Sequence, residues 1–204
     1  MLARKERINM GVLIVIEGDE FSGKTTVSRL VAQALKAHWT FEPTHSPEGL
    51  KVRELNKLGR SDEALEYAIT DRQGHLAEIF THLRQGTPVV CDRYYLSMAV
   101  FQCLPGVPAA NWVMAVPAFY RKYCSVLQPH VTFVLDVTPE TQRQRALQRP
   151  DGDSWIASWS NERYALANIF LPVTRVSDVG TPQRKADHIL SRIYGYFPML
   201  EDHS

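Results

Sequence analysis

The sequence predicts an α/β fold in which a doubly wound, parallel five-stranded sheet is flanked by helices, and three observations carry that expectation. Apolar runs without polar alternation, Val12 to Ile16, Val89 to Cys91 and the core of His130 to Asp136, read as strands covered on both faces. Stretches of helical periodicity separate them, long enough for the right-handed crossovers that parallel strands need. The first run passes through a glycine-rich turn, Gly18-Asp19-Glu20-Phe21-Ser22-Gly23-Lys24-Thr25-Thr26, straight into a helix with Val27, Leu30, Val31, Ala34 and Leu35 on its apolar positions.

The remaining elements follow in order. Trp39 to Phe41 is a short second strand, ended at Glu42-Pro43 because proline has no N–H to add to a ladder. Ser46 to Leu58 predicts a helix, and Ser61 to Leu83 a longer one, with Ser61 as N-cap and Leu65, Ala68, Ile69, Leu76, Ile79 and Leu83 on its apolar face. Gln85-Gly86-Thr87-Pro88 breaks that pattern before the strand that ends in Asp92-Arg93-Tyr94. Proline-rich Pro105 to Pro117 reads as a loop, followed by a helix over Pro117 to Val126. After the strand His130 to Asp136 come a helix-rich stretch, Pro139 to Phe170, a short strand, Val173 to Ser177, and a terminal helix, Pro182 to Tyr196. In open parallel sheets ligands sit at the carboxyl ends of the strands. The Gly18 loop, Glu42-Pro43, Asp92-Arg93 and the turn after Asp136 are therefore expected to converge on one cleft.

A chain of 204 residues with 45% apolar content can bury one substantial core, so residues 11–204 are read as a single domain behind a flexible tail, residues 1–10. The net charge of +1 gives no field for a nucleic acid polymer, and a small anionic ligand would have to be held by local arginines. No apolar stretch approaches bilayer length, and the charged first residues lack the apolar core of a signal peptide. Cys91, Cys103 and Cys124 lack metal-ligand spacing and read as reduced thiols of a cytoplasmic protein.

The glycine-rich turn carries the chemistry. Gly18 and Gly23 let the backbone curl so that successive N–H groups face an anion, Lys24 adds a mobile cation, and the Thr25 hydroxyl is a ligand for Mg²⁺. The expected ligand is a nucleoside triphosphate. Asp92, at the end of a buried strand, suits metal support, and Arg93 beside it offers the planar guanidinium that grips a phosphate bidentately.

With those pieces in order, the chain resembles the thymidylate kinases, P-loop enzymes that pass a phosphoryl group from ATP to deoxythymidine monophosphate. The resemblance runs from residue 11 to about residue 195. It rests on the loop with Glu20, on Glu42-Pro43 followed by Lys51-Val52-Arg53-Glu54-Leu55, on Asp71-Arg72, and on Asp92-Arg93-Tyr94-Tyr95-Leu96-Ser97 with Phe101-Gln102 behind it. It implies ATP and Mg²⁺ as cofactors, small-molecule nucleotides as partners, no membrane and a homodimer. It also implies roles: Arg93 on the acceptor phosphate, Arg72 on the pyrimidine edge, Glu20 facing the sugar 3′-hydroxyl, and Arg53 near the acceptor phosphate. Arg145 and Arg149 match arginines of a mobile lid, here roughly residues 143–160 and including Arg143. Family members with an arginine inside the loop need fewer in the lid; Phe21 stands there in this chain, which shifts that burden to Arg145 and Arg149. The implied catalytic set is Lys24, Asp92, Arg93, Arg145 and Arg149.

The departures gather on the acceptor side. Ala68 stands where the family places a phenylalanine that stacks on thymine, and Tyr67 is turned about 100° from it around a helix. Met98 replaces a small polar residue, Thr44-His45-Ser46 replaces a glycine-rich stretch, and Pro150-Asp151-Gly152-Asp153 replaces the lid's Leu-Asp-Arg. The acceptor set is thus Glu20, Arg53, Tyr67, Arg72, Arg93, Ser97, Met98, Phe101 and Gln102, around a reshaped base pocket. The acceptor expected is dTMP or a 5-substituted deoxyuridylate such as 5-hydroxymethyl-dUMP. A deoxynucleoside kinase acting on thymidine-like nucleosides, and a nucleotide-binding regulator without turnover, are the alternatives.

Overall fold

The structure, a computed structural model, describes residues 10–148, 157, 159–177 and 180–203. Its centre is a wholly parallel sheet of five strands: β1 (Leu13–Gly18), β2 (His38–Phe41), β3 (Val89–Asp92), β4 (Val131–Leu135) and β5 (Thr174–Val176). The spatial order β2-β3-β1-β4-β5 puts β1 in the middle, with the chain crossing to one side for β2 and β3 and to the other for β4 and β5. That reversal opens a crevice at the carboxyl end of β1. Register makes it a common edge, since Ile16 pairs with Asp92, Phe41 with Asp92, and Gly18 with Leu135.

Side chains alternate across a strand, and both faces of β1 are covered, which is why its run is continuously apolar. Ile14 and Ile16 pack with Val27 and Val31 of α1 (Lys24–Ala34) and with Ile189 and Ile193 of α8 (Pro182–Tyr196). Leu13 and Val15 pack on the opposite face with Leu76, Ile79 and Leu83 of α3 (Leu65–Arg84). A third cluster joins α4 (Tyr95–Gln102), α5 (Ala109–Tyr123) and α7 (Ser160–Ala165) around the fully buried Trp112. α2 (Pro47–Lys57) and α6 (Pro139–Leu147) complete the α-helices among the described residues, joined by 3-10 turns at Ala167–Ile169 and Pro198–His203.

Helices with local start signals lie where the sequence predicts them. Ser46, Thr138 and Thr181 each accept from the backbone N–H three residues on, and each is followed by proline in the first helical turn of α2, α6 and α8.

Two expectations are corrected. Ser61 does not cap α3; it is buried in a turn over residues 61–64, and α3 starts at Leu65 without a side-chain cap. Burial of Ala64 against Val52 and Leu55 pulls that turn onto α2. Nor does a helix begin at Pro117: α5 starts at Ala109 and carries Pro117 in its interior. Interior proline costs about 3 kcal/mol, but the preceding turns sink Trp112 and Val116 completely, and the Trp112 indole donates to Ala99 O at 3.0 Å. A buried indole contributes about 5 kcal/mol, so tertiary burial wins. The segment after Arg93, not assigned from sequence, is α4, and the last strand is shorter than Val173 to Ser177.

All three cysteines are free and buried. Among the described residues no helix is long and apolar enough to cross a membrane. The tail residues 1–9 and half of the expected lid, including Arg149 and Pro150-Asp151-Gly152-Asp153, lie outside the described residues.

Candidate active site

The glycine-rich loop leaves β1 at Gly18 (φ 143°) and enters α1 after Gly23 (φ 92°), two left-handed positions that a side chain would strain. A Cβ at Gly18 would also sit 2.6 Å from Leu135 O, so β4 approaches too closely for any other residue. Lys24 opens α1 and is 6% exposed, with its Nζ donating to Asp19 O at 2.6 Å across the loop. Burial, with help from the Arg93 cation, pulls its pKa down to about 8. Asp19 accepts from its neighbour Glu20 N at 2.7 Å and from Ser160 Oγ at 2.6 Å, which ties the loop to α7, and burial pushes its carboxyl up. Ser22 is fully buried beneath the loop, while Glu20, Phe21, Gly23, Lys24, Thr25 and Thr26 line the cavity above it.

The Thr25 hydroxyl donates to Asp92 Oδ2 at 2.6 Å, bringing together the two expected metal ligands. Asp92 Oδ1 is buried without a hydrogen-bond partner. A hydroxyl and a carboxylate with an orphaned oxygen, beside a phosphate-binding turn, fit the hard, partly hydrated Mg²⁺ ion.

Arg93 follows directly, in the left-handed region (φ 69°), its N–H held by Ile16 O at 3.0 Å. That conformation is costly for a non-glycine residue and directs the guanidinium back over the end of β1. There Nη1 lies 3.4 Å from Gly18 O, 3.1 Å from Ser97 Oγ and 3.1 Å from Tyr164 OH, while Nη2 pairs with Glu20 and the group lies over the Phe101 ring. Beneath this hub sits Glu17, completely buried. It accepts from Tyr94 N at 2.8 Å, Ser97 N at 3.1 Å and Ser97 Oγ at 2.5 Å, and so places a carboxylate at the N-terminus of α4. Burial raises its pKa, with the Ser97 hydrogen bond and Arg93 working against that rise.

The cavity over this edge has a volume of about 520 Å³ and continues from the loop to α2, α3 and α4. Arg72 forms its far wall and is buried, not a surface helix residue. Its Nε donates to both Glu42 oxygens at 3.1 Å and Nη2 to Oε2, while the guanidinium plane lies 4.3 Å from the Tyr95 ring centroid and 5.0 Å from that of Tyr94. Arg72 Nη1 faces the Met98 thioether at 2.8 Å. His75 Nδ1 lies 3.0 Å from Glu42, and its Nε2 lies 2.6 Å from Thr40 Oγ1. Burial alone would push the Glu42 carboxyl up; Arg72 and His75 outweigh it and leave the pKa below the ordinary value. Asp71, one residue before Arg72, accepts from Thr44 N, Thr44 Oγ1 and Ser46 Oγ and so fixes the turn after the cis Glu42-Pro43 bond.

Arg53, Ser97, Met98, Phe101 and Gln102, all members of the expected acceptor set, line the cavity, with Arg53 donating to Pro43 O and Gln102 Nε2 to Asn56 Oδ1 at 3.2 Å. Ala68 lines it too. Tyr67 does not: it is 41% exposed, because the helical step from Ala68 turns it away from the wall. Of the arginines expected in a lid, Arg145 reaches the cavity from α6 and donates to Phe21 O at 2.9 Å, whereas Arg143 pairs with Glu140 at 3.1 Å in an exposed ion pair. Arg149 is outside the described residues.

Several structural partners escaped the sequence reading. Glu17, a carboxylate inside an apolar strand, was a visible signal. Glu42 was named only as part of Glu42-Pro43, and its partner His75 is one turn from Arg72. Tyr164 and Arg163 carried no local signal. Arg163 is wholly buried and donates to the carbonyls of Val100, Cys103, Leu104 and Val107, closing off the C-terminal end of α4, and burial lowers its pKa to about 10.

This arrangement can be set beside known proteins. Residues 16–155 match the family described as thymidylate kinase. A probable thymidylate kinase of Staphylothermus marinus is 37% identical over 139 residues, 64% of this chain and 66% of the relative. A thymidylate kinase of Xanthomonas oryzae pv. oryzae is 31% identical over 195 residues, 90% of this chain and 82% of the relative. Among solved structures, a thymidylate kinase from Candida albicans aligns with a TM-score of 0.73 at 18% identity, covering 96% of this chain and 94% of the other, which bears on the fold. The chain belongs to the thymidylate kinase family of ATP-dependent nucleoside monophosphate kinases.

Proposed function

We propose that this chain transfers the γ-phosphoryl group of ATP, with Mg²⁺, to a pyrimidine deoxynucleoside monophosphate, dTMP or a 5-substituted dUMP such as 5-hydroxymethyl-dUMP. The observation that carries the reading is a single cavity bounded at one end by Gly23, Lys24, Thr25 and Thr26 and at the other by Arg72, with Asp92 and Arg93 between. Donor and acceptor can then meet in line, which is most of what phosphoryl transfer asks of a protein.

The loop N–H groups and Lys24 hold the β and γ oxygens of the donor. Thr25 and Asp92 hold Mg²⁺, which when bound neutralises charge on the triphosphate. Arg93 clamps the acceptor phosphate after giving up Glu20, and Glu20, so released, accepts from the sugar 3′-hydroxyl; the partial exposure of both side chains, 14% and 21%, supports this exchange. Arg145, reaching in from α6, with Arg149, supplies positive charge over the moving group. No general base is needed, because the attacking phosphate oxygen is already ionised at neutral pH. At the base end, Arg72 Nη1 rests on a thioether, a weak acceptor, so it is the donor a pyrimidine carbonyl can take. Ala68 leaves open the space that an aromatic side chain would fill, next to the flexible Met98, and these two support a pocket with room beyond the thymine methyl.

Steady-state turnover with ATP and Mg²⁺ on a panel of dTMP, dUMP, dCMP, 5-hydroxymethyl-dUMP and thymidine tests the reading. Higher kcat/KM on the 5-hydroxymethyl compound than on dTMP supports the enlarged pocket, and equal or better rates on dTMP refute it. Activity on thymidine but not on monophosphates would make the protein a deoxynucleoside kinase. Binding without turnover would make it a regulator. A homodimer and a cytoplasmic location belong to the same reading and are open to sedimentation and fractionation.

A further inference from the structure

We propose a divalent-cation site of the Zn²⁺ class on the outer edge of the sheet, formed by His38, Glu78 and His82. His38 opens the edge strand β2, whereas Glu78 and His82 stand one helical turn apart on α3 and share a face. One ligand atom from each lies within 4.8 Å of the other two. His38 Nε2 and Glu78 Oε1 are 2.7 Å apart, and the two imidazoles stack at 3.7 Å with 12° between their planes.

Two imidazoles and a carboxylate are a donor set that borderline ions accept, with a fourth position left to water. It is chemically distinct from the hydroxyl and carboxylate at Thr25 and Asp92, which suit a hard ion. Metal–ligand bonds of about 2.0–2.1 Å in tetrahedral geometry set ligand atoms roughly 3.4 Å apart, so the His38–Glu78 contact of 2.7 Å opens by about 0.7 Å on binding. Parallel rings cannot both point at one ion, so one imidazole must turn about its Cβ–Cγ bond, a torsion with a broad, soft profile. The side chains of His38 and Glu78 are 26% and 48% exposed, which gives the ion a route in. The consequence is a clasp between β2 and α3. These two elements deliver Glu42 and Arg72 to the acceptor wall, and Thr40 and His75 already join them nearer the cavity. His38 lies about 13 Å along the strand from Glu42, so the ion would act as a staple with no part in the chemistry.

The test is Zn²⁺ titration of the full chain by calorimetry and thermal melting, in millimolar Mg²⁺ to occupy the catalytic site, with Co²⁺ as the spectroscopic probe. Wild type and a His188→Ala control are expected to bind one ion per chain, to melt higher with Zn²⁺, and to give the intense visible Co²⁺ bands of a four- or five-coordinate site. Loss of a partner outside the ligand set typically costs 10–100-fold in affinity, so losing a ligand in His82→Ala or Glu78→Gln should cost about tenfold or more. It should also abolish the melting shift while basal kinase turnover without Zn²⁺ is retained. Absence of binding, or binding of equal affinity in both variants, overturns the proposal.

Discussion

Replacing Glu42 by glutamine tests whether the acceptor wall is held by a buried ion cluster. Both partners are nearly sealed, with side-chain exposures of 7% for Arg72 and 7% for Glu42. Glutamine keeps the shape and one acceptor but leaves the Arg72 cation without its counter-charge. Removing one partner of a buried pair costs roughly 3–5 kcal/mol. For a chain of this size that lowers Tm by about 10 °C. The pH dependence has a definite sign. The folded-state pKa of Glu42 lies below its ordinary value of 4.5, so its contribution is complete above about pH 4.5 and is lost as pH falls through the lower folded value. Wild type and Glu42→Gln should therefore differ most at neutral pH and converge in acid. Calorimetric melts from pH 3 to 7 measure this, and kinetics add a second axis: KM for the acceptor should rise about tenfold or more as Arg72 loses its anchor, with KM for ATP little changed. The double variant Glu42→Gln/Arg72→Met should regain stability, because no buried charge is then orphaned, but not acceptor affinity. A Tm within about 2 °C of wild type for Glu42→Gln, or a pH-independent difference, would refute the reasoning.

Three further outcomes follow from the same geometry. Lys24, held at about 8 by burial in the free protein, should weaken ATP binding by roughly tenfold per pH unit above that value, with uptake of up to one proton on binding; calorimetry at pH 7 and 9 in buffers of different ionisation enthalpy reads both, and Lys24→Met should abolish the dependence. Tyr164→Phe removes the hydroxyl that steadies Arg93 and Ser97, and a lost hydrogen bond to a charged group of about 1.5 kcal/mol predicts a roughly tenfold fall in kcat, with Tm moving by only a few degrees. Arg163→Met strands four carbonyls at the end of α4, for an expected loss of roughly 3 kcal/mol and about 8 °C in Tm, together with a raised acceptor KM, both read from melts and steady-state kinetics.

What could be read in advance divides along sequence separation. The glycine-rich loop, the starts of α2, α6 and α8 and the bounds of α8 depend on residues within a few positions of one another, and each is legible. The errors arise where distant burial overrides a local signal: Ser61 reads as a cap but is drawn under α2, and Pro117 reads as a helix start but is carried inside α5 by Trp112. The same holds within the site. The family resemblance marks Arg72, yet its anchor lies 30 positions away in Glu42, and the partners of Glu17 lie 80 and 147 positions away in Ser97 and Tyr164. Such pairs meet only because the sheet brings strand ends together, and no periodicity encodes them.

The two arginine–carboxylate pairs of the cavity differ in a way that bears on turnover. An arginine that must grip a substrate phosphate has to release its resting partner, so that pair must be the more weakly held. Glu20 and Arg93 have side-chain exposures of 21% and 14%, Glu20 lies on a loop, and the acceptor phosphate offers Arg93 an equivalent anion in the same position. Arg72 and Glu42 are more deeply buried, are joined by His75, and are sandwiched against Tyr94 and Tyr95, so nothing a substrate brings compensates for separating them. What Arg72 can exchange is the thioether contact of Nη1, at little cost. Under the proposed function, one arginine would change partners with each acceptor phosphate, while the other would keep its partner and turn a single donor toward the base. Charge recognition and base recognition would then draw on separate side chains, and substitutions at Ala68 or Met98 are expected to change the preference among bases, read as kcat/KM ratios, without loosening the Arg93 clamp on the phosphate.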